Sequence, residues 1–409
     1  MKRLLALALL AGCASAPPAE HAAHPAPGKP AAVDRNAMWK ASLARAPLAV
    51  TAAFDPQGRL WLARVENGRL LVNRVQGAGT ASSPPVAVNA EPESIAADGE
   101  NRPKLAFGKH GETYVSWTQS GDQPFSGHVR FARSLDGGRT FEAPFTVNDD
   151  RAPIGHRFDS LVVTPDGRIH LVWLDKRDSA AAQQRGEKYS GISLYYAVST
   201  DRGASFSANR KLADHTCECC RIALAIDSDG VPVALWRHVF GRNVRDHALL
   251  RLDGRSALAR ASFDDWAVDA CPHHGPALAI AADGAYHLAW FSGAPNKAGL
   301  YYAHSRDRGR SFSPPLRLGD PGAQPGRPQI LALGTNVSLV WKEFDGRQTV
   351  IRAQQSRDGG RTFVNPVTLA ASASASDQPL LVNNGMRGLL SWNSVAEGHR
   401  LVPLPEDRP

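Results

Sequence analysis

Four cysteines and two histidines stand in two short motifs, Cys217-Glu218-Cys219-Cys220 and Cys271-Pro272-His273-His274. Thiolates and imidazoles at this density suit a soft or borderline ion such as copper or zinc, so Cys217, Cys219, Cys220, Cys271, His273 and His274 are candidate metal ligands. The spacing matches no established metal motif. An even number of cysteines equally permits two disulfides in an oxidising compartment. Against that, three cysteines within four residues do not pair conveniently among themselves. One disulfide beside a His-lined pocket is a third arrangement.

A second set of residues is charged. Arg102-Pro, Arg157-Phe-Asp159, Arg221, Arg327-Pro and Asp377-Gln-Pro each precede an apolar run, while Asp175-Lys-Arg177-Asp178, Arg237, Arg245-Asp246 and Lys342-Glu343 each follow one. Guanidinium forks grip carboxylates bidentately. Arg157, Asp159, Asp175, Arg177, Arg221, Arg237, Arg245, Asp246 and Arg327 are therefore candidate binding residues for a glycan or other anionic ligand. Ion pairing between neighbouring elements is the alternative for each one. The net charge of +8 comes with no Lys/Arg-rich run and no nucleic-acid motif, so nucleic acid is not an expected partner. Neither G-x-S-x-G nor a phosphate-binding G-x-x-x-x-G-K-[ST] occurs.

The N-terminus points to export. Lys2 and Arg3 precede the apolar stretch 4–10, which is too short to span a bilayer and reads as a signal peptide. Leu10-Ala11-Gly12-Cys13 resembles the bacterial lipobox, which implies cleavage before Cys13 and a lipid on that cysteine. Ordinary cleavage after a small residue is the alternative. By the same resemblance, Ala14 implies sorting to the outer membrane, with the lipid as the contact to the bilayer. Residues 14–37, rich in Ala and Pro, read as a tether, leaving 38–405 for the folded unit.

Those residues must be positioned by a repeat. A Gly turn, a short apolar or alternating run and a Trp recur at Trp117, Trp173, Trp236, Trp290, Trp341 and Trp392, with Arg64 in the same register of a first copy. Further short runs precede and follow each copy, and no helical periodicity is evident. Four short strands in about fifty residues predict the blades of an all-β propeller, seven by this register and six as the alternative. The last unit supplies three strands, so a segment at 38–46 is expected to complete it.

After the third strand of four units stands S-x-D-x-G-x-[TS]-F, carried by Asp136, Asp201, Asp307 and Asp358. Asp accepts turn amides, Gly supplies positive φ and the ring plugs between strands. The motif closely resembles the Asp box of sialidases and other BNR-repeat propellers. The resemblance implies structural Asp boxes on one end of the ring and a ligand face on the other. It also implies the arginine clamp, Tyr nucleophile with its Glu, and Asp acid of sialidases. The chain departs from that pattern: Phe-Arg-Ile-Pro is absent, and among seven tyrosines only Tyr189 falls in a candidate loop of that face. Histidines 170 and 287 fall inside strands and read as packed residues. The expected protein is thus a lipid-anchored binding propeller, with an exo-α-sialidase or a copper- or zinc-handling or redox protein as alternatives.

Overall fold

The computed structural model describes residues 47–75 and 83–405. The signal segment with Cys13, the tether and the expected strand at 38–46 lie outside the described residues.

Seven antiparallel sheets follow one another along the chain, at 51–87, 104–146, 156–216, 223–260, 277–318, 326–372 and 380–403. The first six have four strands and the seventh has three. This is a seven-bladed β-propeller, as the Trp register predicts. That register marks the second strand of each blade. Its six tryptophans are all among the largest fully buried side chains. Burying an indole removes roughly 200 Å² from water, on the order of 5 kcal/mol each before entropy is counted.

The core lies between blades rather than within them. Val115 and Trp117 of the second blade pack with Trp61, Ala63 and Val72 of the first, and each later junction repeats the arrangement. The ring closes where Val382 and Leu389 of the seventh blade meet Ala52 and Leu60 of the first. Polar contacts clamp that seam: Val50 N–H donates to Asp377 Oδ2 at 3.3 Å, and Asn393 Nδ2 donates to Leu48 O at 2.9 Å.

The Asp boxes join third to fourth strands. In the second blade Asp136 Oδ1 accepts from Ser134 Oγ and from the amides of Arg139 and Thr140, at 2.7, 2.9 and 3.0 Å, while Oδ2 accepts from Thr140 Oγ1 at 2.7 Å. Gly138, at φ +76°, brings its backbone against the Trp61 ring, where a Cβ would lie 2.8 Å from the indole. The box aromatics Phe141, Phe206, Phe312 and Phe363 each plug an inter-blade core.

One element departs from the sequence reading. Arg177–Gln184 forms a short helix, α1, in the connection after the third blade's Trp strand. Two turns of Ala-rich chain, with one buried residue (Ala182), carry too little apolar periodicity to announce themselves.

Candidate functional site

The ends of the ring are chemically distinct. The boxes occupy one end. The chain entries to inner strands and the exits from Trp strands occupy the other, where most of the candidate residues collect.

At the centre of that end stands Glu100, which the sequence reading passed over. Its Oε1 accepts from Arg221 Nη1 at 2.7 Å and Arg327 Nη1 at 3.0 Å. Its Oε2 accepts the backbone amides of Arg221 and Gly275, both at 3.0 Å. Gly275 is required here because a Cβ would strike Arg221 Cγ. Burial opposes the charge on Glu100, but the two guanidiniums outweigh it and hold the carboxyl down to about 2. Arg221 Nη2 also donates to Pro328 O at 2.6 Å. Beside this hub, Arg102 pairs with Asp377 at 3.2 Å and donates to Val50 O. Segments from the second, fourth, fifth and sixth blades thus converge on one carboxylate, and Arg102–Asp377 ties in the first and seventh. The only warning in the sequence was that Glu100 lies two residues before Arg102-Pro.

The remaining charged candidates are largely committed to the protein. Arg177 holds Asp175 through Nε and Nη2 at 3.0 and 2.9 Å and reaches Asp149 at 2.6 Å. Asp175 also receives Trp173 Nε1 at 2.9 Å. Other register indoles are capped likewise, Trp117 by Glu93, Trp290 by Asp264 and Trp341 by Glu343. Asp159 accepts from Ser116 and Thr118, and Asp246 from Arg260. Arg157 is packed over Phe158. Arg237 spends its guanidinium on the carbonyls of Arg245, His274 and Phe291. Tyr189 bonds Ser193 and Asp214, both at 2.6 Å. His156, its Nδ1 against Gly127 O, faces Asp150 and Asp175, each at 3.7 Å. Four donors already saturate Asp175, so this reads as an ion-pair cluster. In the strands, His170 and His287 bond Tyr196 and Tyr302 hydroxyls.

The cysteines behave differently. Cys217, Cys219 and Cys220 are buried at 1, 4 and 2% exposure. Their sulfurs form a triangle with edges of 3.7, 3.8 and 4.0 Å, and all three are free thiols. The segment is fixed from both sides. Cys217 N–H donates to Arg237 O at 2.9 Å, extending the fourth blade, and Arg221 directly after Cys220 is bound to Glu100. Arg245 Nη1 lies 3.2 Å from Cys217 Sγ. Hydrogen bonds from Cys219 and Cys220, with Arg237 and Arg245 nearby, hold the Cys217 thiol well below its ordinary range. The pairing with Cys217 pushes Cys219 up, and burial does the same to Cys220. Cys217 is the natural seat of one shared negative charge.

Cys271 is exposed, its Sγ 3.8 Å from Glu218 Oε1. The two histidines do not join the sulfur triangle. His273 is exposed, while His274 stacks on Phe291 at 4.1 Å and is depressed to about 3 by burial and Arg327.

No family model and no curated protein matches this chain. Solved structures do. An ulvan lyase of polysaccharide lyase family PL25 aligns at TM-score 0.57 and 11% identity, covering 88% of this chain and 94% of its own. The α-L-arabinofuranosidase Arb93A from Fusarium graminearum aligns at TM-score 0.50 and 13% identity, covering 76% and 92%. The microbial sialidase Hz136 follows at TM-score 0.49 and 14% identity, covering 85% and 72%. At these identities the first two establish a shared propeller fold and nothing about the site.

Proposed function

We propose that this protein is an envelope binding propeller whose ligand is a thiophilic metal ion, Cu(I) in the first place, held by Cys217, Cys219 and Cys220. The sulfur triangle carries the reading. An ion bonded to three sulfurs at about 2.3 Å sets them roughly 3.8 Å apart in tetrahedral and roughly 4.0 Å apart in trigonal geometry. The edges of 3.8 and 4.0 Å match those two values and the third, at 3.7 Å, lies just below them. Three thiolates, with no fourth converging ligand among the described residues, suit Cu(I) better than Zn(II). Arg237 and Arg245 offset the negative charge of the loaded site.

Titration of the full reduced chain with Cu(I), without oxygen, tests this. One equivalent should bind with sulfur-to-copper absorption in the near ultraviolet, and C217S should abolish it. Stoichiometric Zn(II) with no Cu(I) uptake would reassign the ion. Retention of neither, or four cysteines locked in two disulfides in protein matured in the envelope, removes the reading. The export and outer-membrane anchoring in this proposal rest on the lipobox resemblance. C13S should move the protein from the membrane to the soluble fraction.

A second reading is a glycan ligand, because an ulvan lyase bound to a glycan shares the fold; the arginines opposite the Asp boxes would be its contacts. Arg221 and Arg327 already share Glu100, which speaks against a sialidase-type clamp. Absence of turnover on α-sialosides with measurable retention on an acidic glycan would support binding over hydrolysis.

A further inference from the structure

The buried triangle poses a question of access, since an ion must cross from solvent to sulfurs that solvent barely touches. Four residues answer it. Cys271, on the neighbouring blade's entry loop, is exposed. It lies against the side chain of the residue that separates Cys217 from Cys219, which links surface to interior. Glu218 sits in the chain between Cys217 and Cys219, and its Oε1 faces Cys271 Sγ at 3.8 Å. Its Oε2 is held by Lys176 Nζ at 2.9 Å, which fixes the carboxylate at the lip. Lys176 is the N-cap of α1, so the helix that sequence periodicity did not announce positions this lip.

We propose that Cys271 and Glu218 form an entry port, through which the ion passes by ligand exchange from a thiol-bearing carrier to the buried triangle. The inference rests on the metal-binding reading above and adds its route and its partner class. In each exchange one metal–sulfur bond forms as another breaks. Cys271 first replaces a carrier sulfur and gives its proton to the departing thiolate. Cys219 then bonds the ion as the Cys271 bond breaks, its proton passing to the Cys271 sulfur. The Cys217 thiolate and Cys220 displace the remaining carrier sulfurs in the same way, the Cys220 proton passing by way of Glu218 to the released carrier thiolate. The ion stays Cu(I) throughout, so no oxidant or reductant is needed. Cys271 is a positioning and transfer residue, not a permanent ligand.

The test uses the full reduced chain and Cu(I)–glutathione as the thiol-bound probe, with loading followed by stopped-flow absorption. C271S should reach the same one-to-one stoichiometry, with affinity in a chelator competition within about threefold of wild type. Its loading rate should fall at least tenfold. C271S loading at the wild-type rate overturns the port while leaving the buried site standing. Loss of equilibrium affinity in C271S also overturns it, by making Cys271 a fixed fourth ligand. Failure of the wild type itself to bind Cu(I) removes the underlying site, and that result is read in a direct titration before any rate is measured.

Discussion

Replacing Glu100 by glutamine removes the negative charge at the hub while keeping its shape. Arg221 and Arg327, whose side chains are 12 and 24% exposed, would then face each other across a neutral amide, half of which is a donor aimed at donors. The magnitude follows from two directions. The carboxyl is held at about 2 against an ordinary 4.5, a difference of some 2.5 units in a fully buried group. At about 1.4 kcal/mol per unit that is roughly 3 kcal/mol of stability. Breaking a buried ion pair by removing one partner costs about 3–5 kcal/mol. E100Q should therefore lose about 3–4 kcal/mol at pH 7, read by equilibrium denaturation in urea. The pH dependence has a definite sign. A carboxyl depressed in the folded state contributes its stability fully above its unfolded value near 4.5 and loses it as pH falls towards about 2. The gap between wild type and E100Q should thus be constant from pH 7 to 5 and shrink below 4.5. A loss under 1 kcal/mol at pH 7, or a gap unchanged at pH 3, would refute the hub as described.

Two further substitutions probe the scaffold. Glu343→Ala strands the Trp341 indole N–H, whose 2.7 Å bond it accepts, and should cost about 1–3 kcal/mol in the same denaturation assay, with Cu(I) stoichiometry unchanged. Asp136→Ala removes the acceptor of four box hydrogen bonds and should cost about 1–3 kcal/mol. Because the box lies at the far end of the ring, sulfur-to-copper absorption should be unaffected there too; a change would place the boxes in the site.

Much of the architecture could be read from the chain because it is repeated. Trp at one register recurs in six blades and the Asp box in four, each Trp packing into an inter-blade core, so several weak signals became one strong one. The thiol loop was legible for a different reason, its composition. What stayed hidden was pairing across the ring. Glu100 binds residues 121 and 227 positions away, a relation that no spacing within one blade encodes. The arginines share the end of the ring opposite the boxes, yet their partners decide whether they meet a ligand or a neighbour. Asp175 illustrates the difficulty: beside Arg177 it has the types of a binding site, and its neighbour Trp173 makes it an indole cap.

The hub and the thiol pocket are joined covalently, and this has a consequence for affinity. Cys220 and Arg221 are consecutive, so the guanidinium that Glu100 holds also anchors one corner of the sulfur triangle. The opposite corner is pinned by Cys217 N–H on Arg237 O and by Arg245 on Cys217 Sγ. Three soft ligands on four residues of loop would ordinarily lose much of their binding energy to ordering. Here that ordering is supplied by the fold, because the loop ends in an ion pair at the centre of the ring. E100Q should therefore weaken Cu(I) binding as well as the fold, by about tenfold if one corner is freed at a cost of about 1.4 kcal/mol. E343A, which also destabilises the fold but through an indole cap in the sixth blade, should leave affinity alone. Equal Cu(I) affinities in wild type and E100Q, measured by chelator competition at a temperature where both are folded, would separate the hub from the pocket and make Arg221 a scaffold residue only.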